Sequence, residues 1–542
     1  MTNQAGSRML KAATIAFFVS YLLLGLLVFR DFGMSWDEIP TRRFGIMYVD
    51  HLVPNLAALD SIRAEGGPAY ERFGPFFEIV LVRAERLLPA LDLRPLFFGR
   101  HLATFLIFFA GVVIFHRFLR RRFGPGISLL ASVCLVCSPQ LFSHAFYNVK
   151  DISFLTMFVA SMLTLDSLLS RPGWRTMIAH ALVTVILLGT RVLGLFAMML
   201  TGAAAFARRP TQRTVWTLFG YGVISLLLLP LAWPVLQIDF AGIISSAVMG
   251  TTSNPYLGAN LFRGREISAA HLPWDYVPTW IVITTPVIIT ALFFVGAAAA
   301  LVKVARHPKD YFFKEQQRDV LVLLWFFMPV VGCMVLRPTL YDGWRHLFFA
   351  YPAMVYLAAI GMETIAGYAE TYAGAARRRT ADAVLAVALL LCLTPVVNFM
   401  VRNHPFEHLY FNRFAGKDMQ TVKQRFELDY WGLSYRQTLE YIVRTDSSRR
   451  IRVFPFTYPG RVNAALLPPR DRARIDLVFS PADADYVTTT YRSHPEGYPQ
   501  SQEVYSVKVG NAAIASVFLG GLKSATAPAP PPPTTPSGVA PR

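Results

Sequence analysis

Charge is scarce in this chain of 542 residues: 16% are Asp, Glu, Lys or Arg, against 54% that are apolar. A soluble fold of that length needs far more polar surface, so an ordinary soluble domain is excluded and lipid is the solvent for most of the chain. Cysteine is also rare. The four present, Cys134, Cys137, Cys333 and Cys392, all fall inside apolar runs, which leaves the outer loops without a disulfide framework. Cys134-x-x-Cys137 has metal-like spacing but lacks a second ligand pair, and packing is its expected role. There is no glycine-rich phosphate loop of the Walker or dinucleotide type, no Gly-x-Ser-x-Gly elbow and no internal repeat of fixed period. These absences argue against an ATP-driven pump and against an enzyme that draws on a cytoplasmic nucleotide. No nucleotide cofactor is expected.

Long apolar runs are abundant. Those near 11–29, 97–116, 125–142, 152–169, 176–190, 192–207, 214–238, 278–302, 319–336, 346–364 and 381–400 meet the ~20-residue criterion for a hydrocarbon core or approach it, which predicts about eleven transmembrane helices. The fifth and sixth are the shortest. With the N-terminus in the cytoplasm, every short basic cluster falls on the cytoplasmic side. These clusters are Arg117 with Arg120, Arg121 and Arg122, then Arg171 with Arg175, and Arg208 with Arg209 and Arg213. Further along come Lys303, Arg306, Lys309, Lys314 and Arg318, and finally Arg377, Arg378 and Arg379. The formal charge of +18 is then topological, and no nucleic-acid partner is needed to explain it. The first run ends in Arg30-Asp31-Phe32 with no small-x-small site, so it reads as a retained signal anchor. The expectation is a multi-pass α-helical protein of the inner (plasma) membrane, with the C-terminal region extracytoplasmic, or periplasmic.

The loop 31–96 is too long for a connector. Residues Phe76 to Leu88 set apolar side chains on one face and Glu78, Arg83, Glu85 and Arg86 on much of the other, the pattern of a helix lying in the interface plane. Arg42 to Leu59 has the same tendency and is cut off by Gly66-Gly67-Pro68, so two amphipathic juxtamembrane helices are expected. The loop 239–277 reads either as a lid or as solvated loop. Residues 1–400 therefore form a membrane domain and 401–523 a small α/β soluble domain. In the latter Ser434-x-x-Gln437 opens an amphipathic helix, and strands are expected at Ile451–Phe454, Asp476–Phe479, Asp485–Thr489 and Val504–Val507. The proline-rich tail 524–542 is expected to be disordered.

Under this topology the unusual polar groups collect on the outer side: Asp37 and Glu38 after the first helix, and His144, Tyr147, Asn148, Lys150 and Asp151 after the third. Arg191 lies in the tight turn between helices five and six, and Tyr341, Asp342, Arg345 and His346 follow helix nine. Structural roles compete for several of them. Ser35-x-x-Glu38 is also a capping box, Asn148 and Asp151 also suit a helix cap, and Arg345 and His346 also suit snorkelling at a helix end. Arg191 is harder to explain that way, because desolvation there demands a partner.

Trp36-Asp37-Glu38, the stretch Phe142 to Asp151, and Arg345-His346 entering a later helix together resemble the GT-C superfamily of integral membrane glycosyltransferases. The likeness is greatest to the bacterial branch related to protein O-mannosyltransferases and the lipid A aminoarabinose transferase. It covers about 10–400, whereas Phe426 to Gly432 and the C-terminal domain depart from that pattern. The resemblance implies transfer of a sugar from a polyprenyl-phosphate donor to an extracytoplasmic acceptor, which is a glycan, a lipid A-type lipid or a protein. It implies Asp37 as the base, Glu38 as its assistant and Asp151 as the third acid. Lys150, Arg191, Arg345 and His346, with His144 and Tyr147, are then candidates for the donor phosphate and substrate. The chemistry fits these residue types: a single displacement with inversion needs one carboxylate base, and a leaving phosphate needs cations. Those cations are Arg or Lys, or a divalent Mg or Mn ion on Asp37, Glu38 and Asp151. A non-enzymatic lipid or solute transporter is the alternative, although transporters place polar groups at the midplane on broken helices and often carry repeats.

Overall fold

The computed structural model describes residues 2–52, 73–89, 92–208, 211–252, 258–313, 317–373, 378–492, 494–498 and 502–520. Eight helices in it are long and apolar enough to cross a membrane, and the bent pair Pro125–Val136 and Pro139–Tyr147 makes a ninth. Two shorter apolar helices, Trp174–Leu188 and Val192–Ala207, correspond to the expected fifth and sixth spans. The chain is thus a helical multi-pass membrane protein with a small C-terminal sheet domain.

Three expected spans end or bend early, each at a residue preceding proline. A proline ring clashes with an α-helical residue before it and pushes that residue to extended conformation. Ser138 is extended ahead of Pro139, and the two halves of the third span meet at 64°. Thr285 is extended ahead of Pro286, which splits 278–302 into Tyr276–Thr284 and Val287–Arg306. The span expected to reach 238 stops at Ala232, and after Trp233 a 3-10 turn, Pro234–Gln237, takes over. Pro230 remains inside its helix, so the proline that goes with the break is Pro234.

The span from Arg345 to Tyr368 sits at the centre, 83% buried, while Gly6–Val28 and Asp382–Arg402, at 11% and 17%, flank it with lipid-facing surfaces. Backbone contact fixes the central pair. A methyl group on Gly361 would lie 2.2 Å from the Leu292 carbonyl, and one on Gly296 would overlap the Leu357 carbonyl. Small residues are what allow two membrane helices to touch this closely.

The basic loops meet at one end of the bundle and are partly clamps. Arg121 and Arg318 both bind Asp166, at 2.7 and 2.6 Å, and Arg122 forks onto Glu363 at 3.0 and 2.8 Å. Several of these charges therefore tie helices together besides marking a membrane side.

At the other end lies the first outer loop. Its two expected helices occur as Glu38–Met47, continued by a π-helical turn Tyr48–Leu52, and Phe76–Arg86. Gly66-Gly67-Pro68 and the rest of 53–72 lie outside the described residues. The charged stripe of the second helix turns partly inward: Glu78 is buried with Ile79, Leu81 and Val82. Arg100 of the span Leu93–Leu119 binds Glu78 and, at 2.6 Å, Glu85, whose second oxygen takes Arg42 at 2.9 Å. The segment 239–277 is not plain loop where it is described. It contains the helix Phe240–Thr252 and a hairpin, Ala259–Phe262 with Arg265–Ser268, turned by Arg263 and Gly264 at φ 52° and 80°. Phe262 bridges to Phe426, so the hairpin docks on the segment leading into the C-terminal domain.

That domain holds a five-stranded sheet in the order Ile475–Leu477, Ile451–Pro455, Tyr486–Thr490, Ala512–Leu519, Glu503–Val509, the first three parallel and the last two antiparallel. Ala512–Leu519, absent from the expectation, is buried along nearly its whole length. The helix Tyr435–Thr445 covers the sheet with Leu439 and Ile442. Ser434 does not cap that helix with its side chain; its hydroxyl and amide bind the buried Asp429 instead. Asn463 holds both the amide and the carbonyl of Met34, at 2.8 and 2.9 Å, so the domain grips the chain three residues before Asp37. The tail 524–542 lies outside the described residues.

Gly361→Val is expected to force the two central helices apart. The overpacking penalty is about 1–3 kcal/mol, read as a lower thermal midpoint of the detergent-solubilised protein.

Candidate active site

The two members of the acidic pair diverge. Asp37 occupies the cap position of Glu38–Met47 without a side-chain capping bond, and Glu38 turns into the protein. Glu38 Oε1 accepts from the Ser35 amide at 2.7 Å and Oε2 bonds His101 Nε2 at 2.9 Å. This is half of the capping box, because the Ser35 hydroxyl goes to the Tyr147 carbonyl at 3.4 Å. Asp37 faces a cavity of about 200 Å³ whose other charged lining residues are Glu78 and Lys150. Phe44, Phe73, Phe77 and Tyr341 form its aromatic walls, and Thr41 and Thr190 add hydroxyls. That is the space of roughly six or seven waters.

The charges behind the cavity are closely matched. Asn148 caps the span Val149–Ser170 by accepting from the Asp151 amide at 3.1 Å, so the Asp151 carboxylate is left for cations. It receives Arg191 on Oδ1, and on Oδ2 Arg345 Nη1 at 3.2 Å and Asn148 Nδ2 at 2.8 Å. Arg191 reaches it from an extended turn between two short helices, which is the partner that the sequence demanded. Arg345 also binds Asp342 at 3.2 Å, approaches Asp37 to 3.9 Å, and lies 5.0 Å from the ring centres of Tyr341 and Trp431. Lys150 forms no ion pair among the described residues, and its ammonium sits 3.2 Å from the centre of the Phe73 ring.

The remaining expected residues divide. His346 stands edge-on to Tyr341, a wall residue of the cavity, at 5.0 Å, with Nδ1 lacking a hydrogen-bond partner among the described residues. His144 and Tyr147 lie behind the site. His144 Nδ1 accepts from Asn148 at 2.9 Å and Nε2 bonds the Tyr430 hydroxyl at 3.0 Å, while the Tyr147 hydroxyl bonds Ser143 at 3.0 Å. The His144 bond to Tyr430 joins the bundle to the C-terminal segment, whereas the Tyr147 hydroxyl is bonded within its own helix.

Burial raises the Asp37 carboxyl above the ordinary carboxylate range; Arg345 and then Lys150 pull it back, and Asp342 and Asp151 add to the rise. Its side chain is nonetheless 44% accessible, so it is walled in by protein yet reachable from the cavity. Burial also pushes Glu427 up to about 7, opposed by Arg492, which lies 3.5 Å away, and reinforced by Asp342.

The three carboxylates given above as one alternative for holding a divalent ion do not converge. Glu38 is turned onto His101, Asp151 is occupied by two arginines, and no group of three His, Cys, Asp or Glu among the described residues suits an ion. Sequence reasoning missed Glu78, Trp431 and Arg492 as neighbours of the site. Glu78 was read as part of an exposed stripe, and the other two come from segments far along the chain.

No protein-family model and no curated protein matches the sequence. Among solved structures, the chain aligns with ArnT from Cupriavidus metallidurans in the apo state at TM-score 0.48 and 12% identity, over 94% of this chain and 98% of that one. It aligns with the archaeal oligosaccharyltransferase AglB from Archaeoglobus fulgidus, solved with an inhibitory peptide and a dolichol-phosphate, at 0.45 and 12%, over 88% and 69%. With the arabinofuranosyltransferase AftD from Mycobacteria the values are 0.41 and 13%, over 93% and 40%. At these scores and identities no residue of the site is assigned by alignment.

The two aspartates are expected to behave differently under substitution. Asp151→Ala leaves Arg191 and Arg345 short of a counter-charge and should cost about 3–5 kcal/mol, whereas Asp37→Asn removes only a loosely held charge. Thermal unfolding of the purified variants, with a large drop for the first and little change for the second, checks this.

Proposed function

We propose that this protein is an inverting membrane glycosyltransferase that takes a sugar from a polyprenyl-phosphate donor and transfers it to an acceptor on the extracytoplasmic side of the inner membrane. The N-terminus is then cytoplasmic and the C-terminal domain periplasmic, which agrees with the basic loops gathering at the opposite end. One observation carries the reading: Asp37 and Lys150, a carboxylate and an ammonium without close ion-pair partners, line the same small aromatic-walled cavity at the membrane edge. A displacement at an anomeric carbon with a phosphate leaving group calls for a base and a cation, roles that a carboxylate and an ammonium can fill.

In this reading the acceptor hydroxyl gives its proton to Asp37 as its oxygen bonds to the anomeric carbon. The bond from that carbon to the phosphate oxygen breaks on the opposite face, and the polyprenyl phosphate departs with the electron pair. Lys150 and Arg345 receive the growing phosphate charge, while Asp151 holds Arg191 and Arg345 in place. Glu38 assists through the backbone: by fixing Ser35 and His101 it sets the loop on which Asp37 stands. No step is routed through a metal ion. A glycan, a lipid A-type lipid and a protein all offer the hydroxyl or amine that such a base activates.

Transfer from a radiolabelled polyprenyl-phosphate sugar in membranes is expected to fall about 10²- to 10⁴-fold in Asp37→Asn, the usual contribution of a general base; undiminished transfer would remove Asp37 from that role. The base must be ionised to act. With the carboxyl raised by burial, kcat/KM should decline on the acid side at a higher pH than an ordinary aspartate gives, and a pH–rate profile of the wild type checks this.

A further inference from the structure

The C-terminal domain sends one side chain back to the membrane site. Arg492 follows the strand Tyr486–Thr490, and its Nη2 donates to Asp342 Oδ1 at 2.8 Å while Nη1 donates to the Tyr430 carbonyl at 2.7 Å. The other Asp342 oxygen accepts from Trp431 Nε1 at 2.9 Å and from Arg345 Nε at 3.2 Å. Asp342, 4% exposed, is therefore held between an arginine of the C-terminal domain and Arg345, which lies behind the cavity and reaches toward Asp37.

The backbone beneath this contact is unusual. Asp342 has φ 59°, Gly343 follows at 70°, and Arg337 stands at 46°. Side chains other than glycine rarely adopt that left-handed region, and a loop keeps it only where surrounding contacts over-determine it. Apart from Arg345 itself, the side-chain hydrogen-bond partners of Asp342 among the described residues come from beyond residue 425, from Trp431 and Arg492, so they hold the loop that supplies the second carboxylate on the Arg345 guanidinium, alongside Asp151. Arg345 also has one ring from that distant segment against it, Trp431 at 5.0 Å.

We propose that Arg492 is a positioning residue: through Asp342 it fixes the Arg345 guanidinium that receives the donor phosphate, so the C-terminal domain completes the phosphate site. The inference rests on the glycosyltransferase reading above. It gives the domain a role in donor binding, separate from any contact with the acceptor.

The test uses full-length protein in detergent, with undecaprenyl phosphate as the probe and amide hydrogen exchange over 337–344 as a second readout. Arg492→Ala is expected to speed exchange in that loop and to weaken probe binding about tenfold, the scale of a lost charge-assisted hydrogen bond. Arg492→Gln, which keeps a donor for the Tyr430 carbonyl, secures the comparison if the alanine variant does not fold. Arg492→Lys should recover part of the affinity. Arg452→Ala, which removes the exposed pair with Asp485 in the same domain, should change neither readout. In the transfer assay the Arg492→Ala defect should fall on donor KM more than on kcat.

Unchanged probe affinity in the folded Arg492 variants overturns the positioning role, whether or not loop exchange rises, because the arginine then only anchors the domain. Failure of the wild type to bind undecaprenyl phosphate is a different result. It overturns the glycosyltransferase reading, and the positioning role falls with it.

Discussion

A single buried guanidinium sets the conditions for the whole outer end of this protein. Arg345 is 4% exposed at the head of the most buried span, where an unpaired charge is prohibitively expensive. Its neutralisation comes from three separate places: Asp151 at the start of another span, Asp342 in the preceding loop, and Asp37 in the first outer loop. Because Asp37 and Asp151 are distant in sequence from Arg345, the charge is fully neutralised only when the bundle and the first outer loop have assembled around it. The same neutralisation explains why Asp151 is a scaffold for cations, while Asp37, at 3.9 Å and half open to the cavity, is held more loosely.

Much of the fold was legible because the signals that made it are local. Apolar runs marked every span, and basic clusters marked one end of the bundle. Where boundaries went astray, the cause was also local but of another kind: the residue before proline bent or ended helices at Ser138, Trp233 and Thr285 even though hydropathy ran on without a break. The strand Ala512–Leu519 escaped notice because, being buried, it lacks the alternation that marks a half-exposed strand.

The site was legible residue by residue but not in its division of labour. Asp37, Lys150, Asp151, Arg191, Arg345 and His346 do meet. What sequence spacing does not contain is which neighbour each side chain chooses. Asp37 and Glu38 are adjacent, yet a helix turns consecutive side chains about 100° apart, and His101 from another helix captures the second one. His144 and Tyr147, read as substrate contacts, are taken up by Tyr430, Asn148 and Ser143 for the same reason. Glu78 made the opposite move, from a presumed solvent stripe into the cavity lining, because Arg100 draws it inward.

The width of the cavity is set by main chain. The Phe76 amide donates to the Gly189 carbonyl at 3.0 Å, and a methyl group on Gly74 would lie 2.2 Å from that same oxygen, so the second juxtamembrane helix is pinned directly to the turn that carries Arg191. The walls on either side are side chains such as Phe73, Phe77 and Pro40, which take no part in this pin. Their size and shape are therefore free to drift without altering the spacing between the turn of Arg191 and the helix opposite. Within such a frame the shape of the pocket is separable from the position of its charges, and a lineage of related chains has room to reshape it one wall residue at a time.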